Sequence, residues 1–201
     1  MRYGMVIDLL KCVGCNACTV ACRAENGTPT GVHFNKIKKY EVGKYPSAKM
    51  KFLPMPCMHC QNTPCLKACP TGATAKNQQG IITVNEDNCI GCRACVVACP
   101  YESRYFLWDF KPYYEGQNFT PFETLKQKKY VKGTVVKCEF CTPRLEQGKL
   151  PACVETCPGQ ARYFGDLDDP NSEVSKLVAL HKGMPLRPEL GTEPSVIYIR
   201  G

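Results

Sequence analysis

The chain has 201 residues, sixteen cysteines, 44% hydrophobic residues and a formal charge of +8, and its length suits one or two domains. No apolar run approaches the 18 or more residues of a membrane-spanning helix, so no transmembrane segment of its own is expected. Sixteen prolines and sixteen glycines interrupt the apolar pattern, which leaves thin cores that need a staple besides burial.

Taken from the start, Tyr3–Asp8 reads as a short apolar strand. It leads into a first cysteine set, Cys12, Cys15, Cys18 and Cys22, spaced C-x2-C-x2-C-x3-C. Arg23 follows the fourth cysteine, and Val20, Ala21, Ala24 and Glu25 continue a helical composition, so this helix is expected to run on. Lys36, Lys38 and Lys39 read as a solvated face. The second set is Cys57, Cys60, Cys65 and Cys69, with His59 inside it and Pro70 after it. Gly80–Asn85 is a second short strand, placed before the third set as Tyr3–Asp8 is before the first. That third set, Cys89, Cys92, Cys95 and Cys99, repeats the spacing of the first and ends on Pro100. Residues 101–132 are rich in aromatics, among them Tyr101, Tyr105, Phe106, Trp108, Phe110, Tyr113 and Tyr114. They suit a partner interface or a loop packed on its own small cluster. The fourth set is Cys138, Cys141, Cys153 and Cys157, followed by Pro158. Ser172–Lys182 reads as a helix with Ser172 as cap, Gly183 as stop, and Val174, Leu177, Val178 and His181 on one face. Val196–Ile199 is a closing strand.

Cysteines this dense serve as disulfides, as zinc ligands or as iron–sulfur ligands. Disulfides expect a secreted chain, and Met1–Leu10 shows no basic stretch followed by a long apolar one. Two-residue gaps also pair badly as disulfides. A zinc-stapled interaction scaffold is the serious competitor, since tetrahedral sulfur suits either metal. The repeated C-x2-C-x2-C-x3-C run is nevertheless the bacterial ferredoxin spacing, and no cysteine is left over. Four [4Fe–4S] clusters are therefore expected. The charge agrees: sixteen thiolates bring roughly −16 and four oxidised clusters about +8, so the loaded chain sits near neutrality. Its surplus Lys and Arg balance clusters, and no nucleic acid is expected as a partner.

In two-cluster ferredoxins the fourth cysteine of one run ligates the cluster of the other. Sets two and three, close in sequence, then exchange fourth ligands, and sets one and four pair across the chain. The expected quartets are Cys12, Cys15, Cys18 and Cys157 for cluster 1; Cys22, Cys138, Cys141 and Cys153 for cluster 2; Cys57, Cys60, Cys65 and Cys99 for cluster 3; and Cys69, Cys89, Cys92 and Cys95 for cluster 4. The expected fold class is α+β and loop-rich, with one ferredoxin-like module inserted in another. The outer module takes residues 1–50 and 104–201, with 101–132 as the aromatic insertion, and the inner one takes 51–103. His33, His59 and His181 have no ligand role here, although His59 could donate a hydrogen bond to a cluster. Lys11 and Arg93 read as exposed loop cations.

The four ordered sets, the opening Tyr3-Gly-Met-Val-Ile-Asp8 and the tail Phe164-Gly-Asp-Leu-Asp-Asp-Pro-Asn171 resemble the four-cluster iron–sulfur subunits of molybdopterin oxidoreductases. The polysulfide and respiratory arsenate reductases look most similar. The resemblance implies a non-catalytic electron-transfer subunit with two partners: a molybdopterin (Mo or W) catalytic subunit and a quinone-reactive membrane subunit. It implies that cluster 1 faces the catalytic subunit and cluster 4 the quinone end. In related nitrate reductases the position of Cys92 is not cysteine and that cluster loses an iron; here four complete cubanes are implied. A relay subunit of a hydrogenase, formate dehydrogenase or aldehyde oxidoreductase is the alternative. The family implies an extracytoplasmic, membrane-associated location reached by export with a partner, a cytoplasmic one remaining open.

Overall fold

The strand predicted at Tyr3–Asp8 forms with those bounds in the computed structural model, which describes residues 1–201. This strand, β1, is apolar from Tyr3 to Ile7 because both its faces are covered, and its last residue, Asp8, is buried against Arg200. It lies between β8 (Arg162–Asp166), antiparallel, and β10 (Val196–Ile199), parallel, and β9 (Met184–Pro185) adds the far edge. Side chains alternate across the sheet. Val6 and Ile199 meet Val174 of α7 (Glu173–Leu180) on one face. Met5, Ile7, Val196 and Tyr198 join the main core on the other, together with Cys18, Cys60, Cys153 and Phe140.

Three two-stranded antiparallel ladders complete the sheets. β2 (Asn35–Val42) pairs with β3 (Lys49–Pro56), β4 (Thr74–Lys76) with β5 (Ile82–Val84), and β6 (Arg104–Phe106) with β7 (Val135–Lys137). The strand before set one thus pairs with the strand after set four. The strand after set two pairs with the strand before set three. The helices follow the same division: α1 (Ala17–Asn26) packs on α6 (Ala152–Glu155), and α2 (Pro64–Lys67) on α3 (Ala94–Val97). Small mixed α and β elements around cysteine loops make this an α+β, ferredoxin-like architecture.

Two expectations shift in detail, and the long first helix holds. The strand read over Gly80–Asn85 shrinks to β5, because Gly80 (φ 75°) closes a turn anchored by the Asn77 side chain, which accepts from the Gln79 and Ile81 amides. α7 is capped by the Ser172 hydroxyl as expected, but Lys182 (φ 49°), not Gly183, takes the left-handed position after it. Glycine is needed at 183 for another reason: a Cβ there would lie 2.7 Å from Ile197 Cγ2. α1 runs on for ten residues where the other cysteine helices have four. Arg23 permits this, whereas proline ends the helical path after sets two, three and four.

The aromatic stretch divides in two. Leu107 and Tyr130 pack with Cys22, Val32, Phe34 and Val136. The Tyr113 hydroxyl donates to the Thr28 carbonyl (2.8 Å) and the Tyr130 hydroxyl to that of Asn26 (2.9 Å). This half clamps the exit of α1. α4 (Pro121–Lys126), started by a Thr120–Glu123 capping box, carries the chain back toward β7. α5 (Thr142–Leu145) then follows directly on Cys141. Trp108 and Tyr114 stay exposed.

Candidate metal centres

All four cysteine sets use one local design. The residue before the second cysteine has positive φ in each: Gly14 (67°), His59 (44°), Gly91 (70°) and Phe140 (52°). This turns the chain back so that the first two thiols face inward on one side. The third cysteine then rides on a helix, Cys18 on α1, Cys65 on α2, Cys95 on α3 and Cys153 on α6. The fourth cysteine of these runs begins or rides on a helix where the chain does not turn. Only Cys22 does so; Cys69, Cys99 and Cys157 lie in the turn after one, each amide bonded to the carbonyl three residues back.

Three cavities are each lined by four cysteines drawn from two sets. One takes Cys12, Cys15, Cys18 and Cys157, another Cys22, Cys138, Cys141 and Cys153, and the third Cys69, Cys89, Cys92 and Cys95. The remaining four, Cys57, Cys60, Cys65 and Cys99, are electrostatic neighbours of one another. No three His, Cys, Asp or Glu side chains gather where one ion could sit. The sulfurs instead surround a space, as ligands of a multi-iron cube do and those of a lone zinc do not. Burial raises the thiol of Cys60 to about 12 and of Cys153 to about 11, with neighbouring thiolates adding to the rise at Cys60. Loading these sites therefore expels protons and couples ligation to folding.

The fourth sulfurs receive amide hydrogen bonds that a turn supplies. The Thr74 amide donates to Cys69 Sγ at 3.4 Å, that of Ser103 to Cys99 Sγ at 3.5 Å, and that of Ala161 to Cys157 Sγ at 3.3 Å. Where α1 continues instead of turning, the Asn26 side-chain amide takes over, reaching Cys22 Sγ at 3.6 Å. Such donors stabilise thiolate charge and raise cluster potentials.

His59 donates to no sulfur, against the expectation. Its Nδ1 accepts from the Ile82 amide at 3.1 Å, and its ring stacks on Phe140 at 3.8 Å. Complete burial, with Lys137 and Arg104 nearby, holds it well below the usual histidine pKa and neutral. Arg93 is exposed as expected and lies 4.8 Å over the Trp108 ring, whereas Lys11 is half-buried and donates to the Tyr163 hydroxyl at 2.6 Å. His33 is exposed.

The residues that sequence reasoning missed are three buried cations, Arg104, Lys137 and Arg162, each at most 4% exposed. A signal was present: Cys99-Pro-x3-Arg104 and Cys157-Pro-x3-Arg162 repeat the same spacing. Each arginine opens the strand after its turn, and that register aims it inward.

Residues 11–73, 48–115 and 111–167 match families described as 4Fe-4S dicluster domains. A selenate reductase subunit of Mesobacillus selenatarsenatis is 46% identical, over 99% of this chain and 72% of that protein. The arsenate respiratory reductase iron-sulfur subunit ArrB of a Shewanella species is 42% identical over 100% and 97%. A tetrathionate reductase subunit of Salmonella typhimurium is 40% identical over 98% and 72%. This chain belongs to the four-cluster iron–sulfur subunits of the molybdopterin oxidoreductase family. Its sixteen cysteines therefore serve four [4Fe–4S] clusters, and its role is electron transfer rather than substrate chemistry. No helix is long and apolar enough to cross a membrane.

Proposed function

We propose that this chain relays electrons between a molybdopterin (Mo or W) catalytic subunit and a quinone-reactive membrane subunit of an anaerobic respiratory reductase. The reading is of the arsenate, polysulfide, thiosulfate or tetrathionate type, held on the outer side of the membrane. The four quartets are those read from the sequence, in the order cluster 1 to cluster 4. Clusters 1 and 2 belong to an outer module and clusters 3 and 4 to one inserted within it. The β1–β8 and β4–β5 pairings and the α1–α6 and α2–α3 contacts support that nesting.

One observation carries the reading. Only Cys15 and Cys92 are exposed, and they belong to clusters 1 and 4, while every ligand of clusters 2 and 3 is buried or half-buried. A relay needs two open ends and a covered middle. The clusters supply one-electron exchange when bound. The chain fixes their spacing, excludes water from the middle pair and leaves one ligand of each end cluster exposed.

Purification of the native complex tests this. The expected result is a molybdenum- or tungsten-containing partner and about sixteen irons per copy of this chain. Crosslinkers placed near Cys15 and Cys92 should capture two different subunits. A partner without molybdenum or tungsten would move the chain to hydrogenase service, and capture of one subunit at both ends would overturn the end-to-end relay.

A further inference from the structure

Arg162 is 4% exposed and lies between two thiol groups. Its Nη2 donates to Cys18 Sγ at 3.4 Å and to Asn35 Oδ1 at 2.9 Å, and its Nη1 reaches Cys153 Sγ at 3.7 Å and Met5 Sδ at 3.4 Å. Cys18 belongs to the cluster 1 quartet and Cys153 to that of cluster 2. Arg104 repeats the arrangement. It is 4% exposed, its Nη1 donates to Thr74 Oγ1 at 2.9 Å, and its guanidinium lies beside Cys65 and Cys95, from quartets 3 and 4. Its Nε and Nη2 are buried with no hydrogen-bond partner.

Neither arginine has a carboxylate at ion-pair distance; the ion pairs of the chain involve other residues. A buried cation without an anion is heavily penalised. The β6–β7 register adds to the problem, since Arg104 stands directly opposite Lys137, itself 2% exposed, and like charges so placed repel. The compensating negative charge has to come from the thiolates. A cube with four thiolates keeps a net charge of about −2 when oxidised and gains one more on reduction. A guanidinium shared by two cubes favours the reduced form of both, because it faces the charge that each acquires.

Resting on the quartets proposed above, we propose that Arg162 and Arg104 are equivalent potential-setting residues, one shared by clusters 1 and 2 and the other by clusters 3 and 4. They are positioning residues, acting on the clusters through charge, and Arg162 also through N–H donation to sulfur. The equivalent places after sets one and two hold Gly27 and Thr74. Each pair of clusters thus has one arginine, not two.

The test is a redox titration of the iron-loaded complex, followed by electron paramagnetic resonance, for Arg162→Gln, Arg162→Lys, Arg104→Gln and Arg104→Lys. Each Gln variant should lower the one-electron reduction equilibrium of two clusters at least tenfold, which is 59 mV, and leave the other two near their original potentials. The two affected pairs should not overlap, and Lys should restore part of each shift. Four unchanged potentials in an iron-replete Gln variant would overturn the proposal. Overlapping pairs would leave the cation role standing and refute the ligand quartets instead. If a Gln variant does not load, the Lys variant decides: a smaller shift confined to two clusters supports the proposal, and no shift ends it.

Discussion

Sets one and three present glycine at the turn before their second cysteine, while sets two and four present His59 and Phe140. The backbone kink is the same in all four loops, so the difference lies in what covers it. Beside Gly14 and Gly91, Cys15 and Cys92 are exposed, while the glycines themselves are pressed against Phe52 and the Gly133 carbonyl. His59 and Phe140 adopt a conformation costly for large residues, about 1–2 kcal/mol each. They offset this by stacking on each other across 3.8 Å, with Phe164 set edge-on to Phe140 at 5.2 Å. One loop motif thus serves both an open end and a sealed middle, with glycine where a neighbour presses on the backbone and a packed ring where none does.

The largest perturbation removes the shared element altogether. Chelating the iron should abolish the cooperative unfolding transition in circular dichroism, because four-residue helices around cavities cannot hold a core. A metal-free chain that still melts cooperatively would show that the sheets suffice. Next in size, Phe140→Ala opens the sealed middle and should cost about 3–5 kcal/mol, seen as a lower denaturant midpoint of the iron-loaded protein. A cost below about 1 kcal/mol would mean that the His59 stack holds nothing together.

The two glycine loops can be separated from each other in turn. A Cβ at Gly91 would lie 2.2 Å from the Gly133 carbonyl, and one at Gly14 2.2 Å from the Phe52 ring. A ring can swing aside, whereas that backbone is tied into the turn before β7. Gly91→Ala should therefore destabilise by roughly 3 kcal/mol and Gly14→Ala by nearer 1–2 kcal/mol, with iron content and unfolding midpoint as readouts. Equal losses would contradict this ranking. The smallest effect is expected at Trp108→Ala. The ring is exposed and contacts Arg93 and the ring of Phe106, so stability should change by no more than about 1 kcal/mol, measured by the same midpoint.

Much of the fold and of the cluster sites is legible in the sequence, and the reasons differ by feature. The cysteine sets follow from spacing alone, since ligation fixes the intervals within a loop. β1 is readable because a strand covered on both faces is apolar over most of its length, here Tyr3 to Ile7. Ser172 is readable because capping is local. The His59–Phe140 stack is not, because it joins residues from sets two and four that only tertiary packing brings together. Arg104 and Arg162 are hidden by a different prejudice. Charged residues outside a motif are ordinarily solvated, and only the strand register shows that these two turn inward. The shortened β5 reflects Asn77, whose side chain competes with the ladder for nearby amides.

The placement of β1 also bears on how the protein is made. It leaves the ribosome before every other strand described, yet its two neighbours, β8 and β10, come near the end of that order. At about 5–20 residues per second, the N-terminal strand waits on the order of ten to thirty seconds for partners, whereas the β4–β5 hairpin closes almost as soon as it emerges. During that interval an apolar edge and the thiols of set one stand unprotected. Assembly is therefore ordered from the inside outward, with β1 and set one protected last.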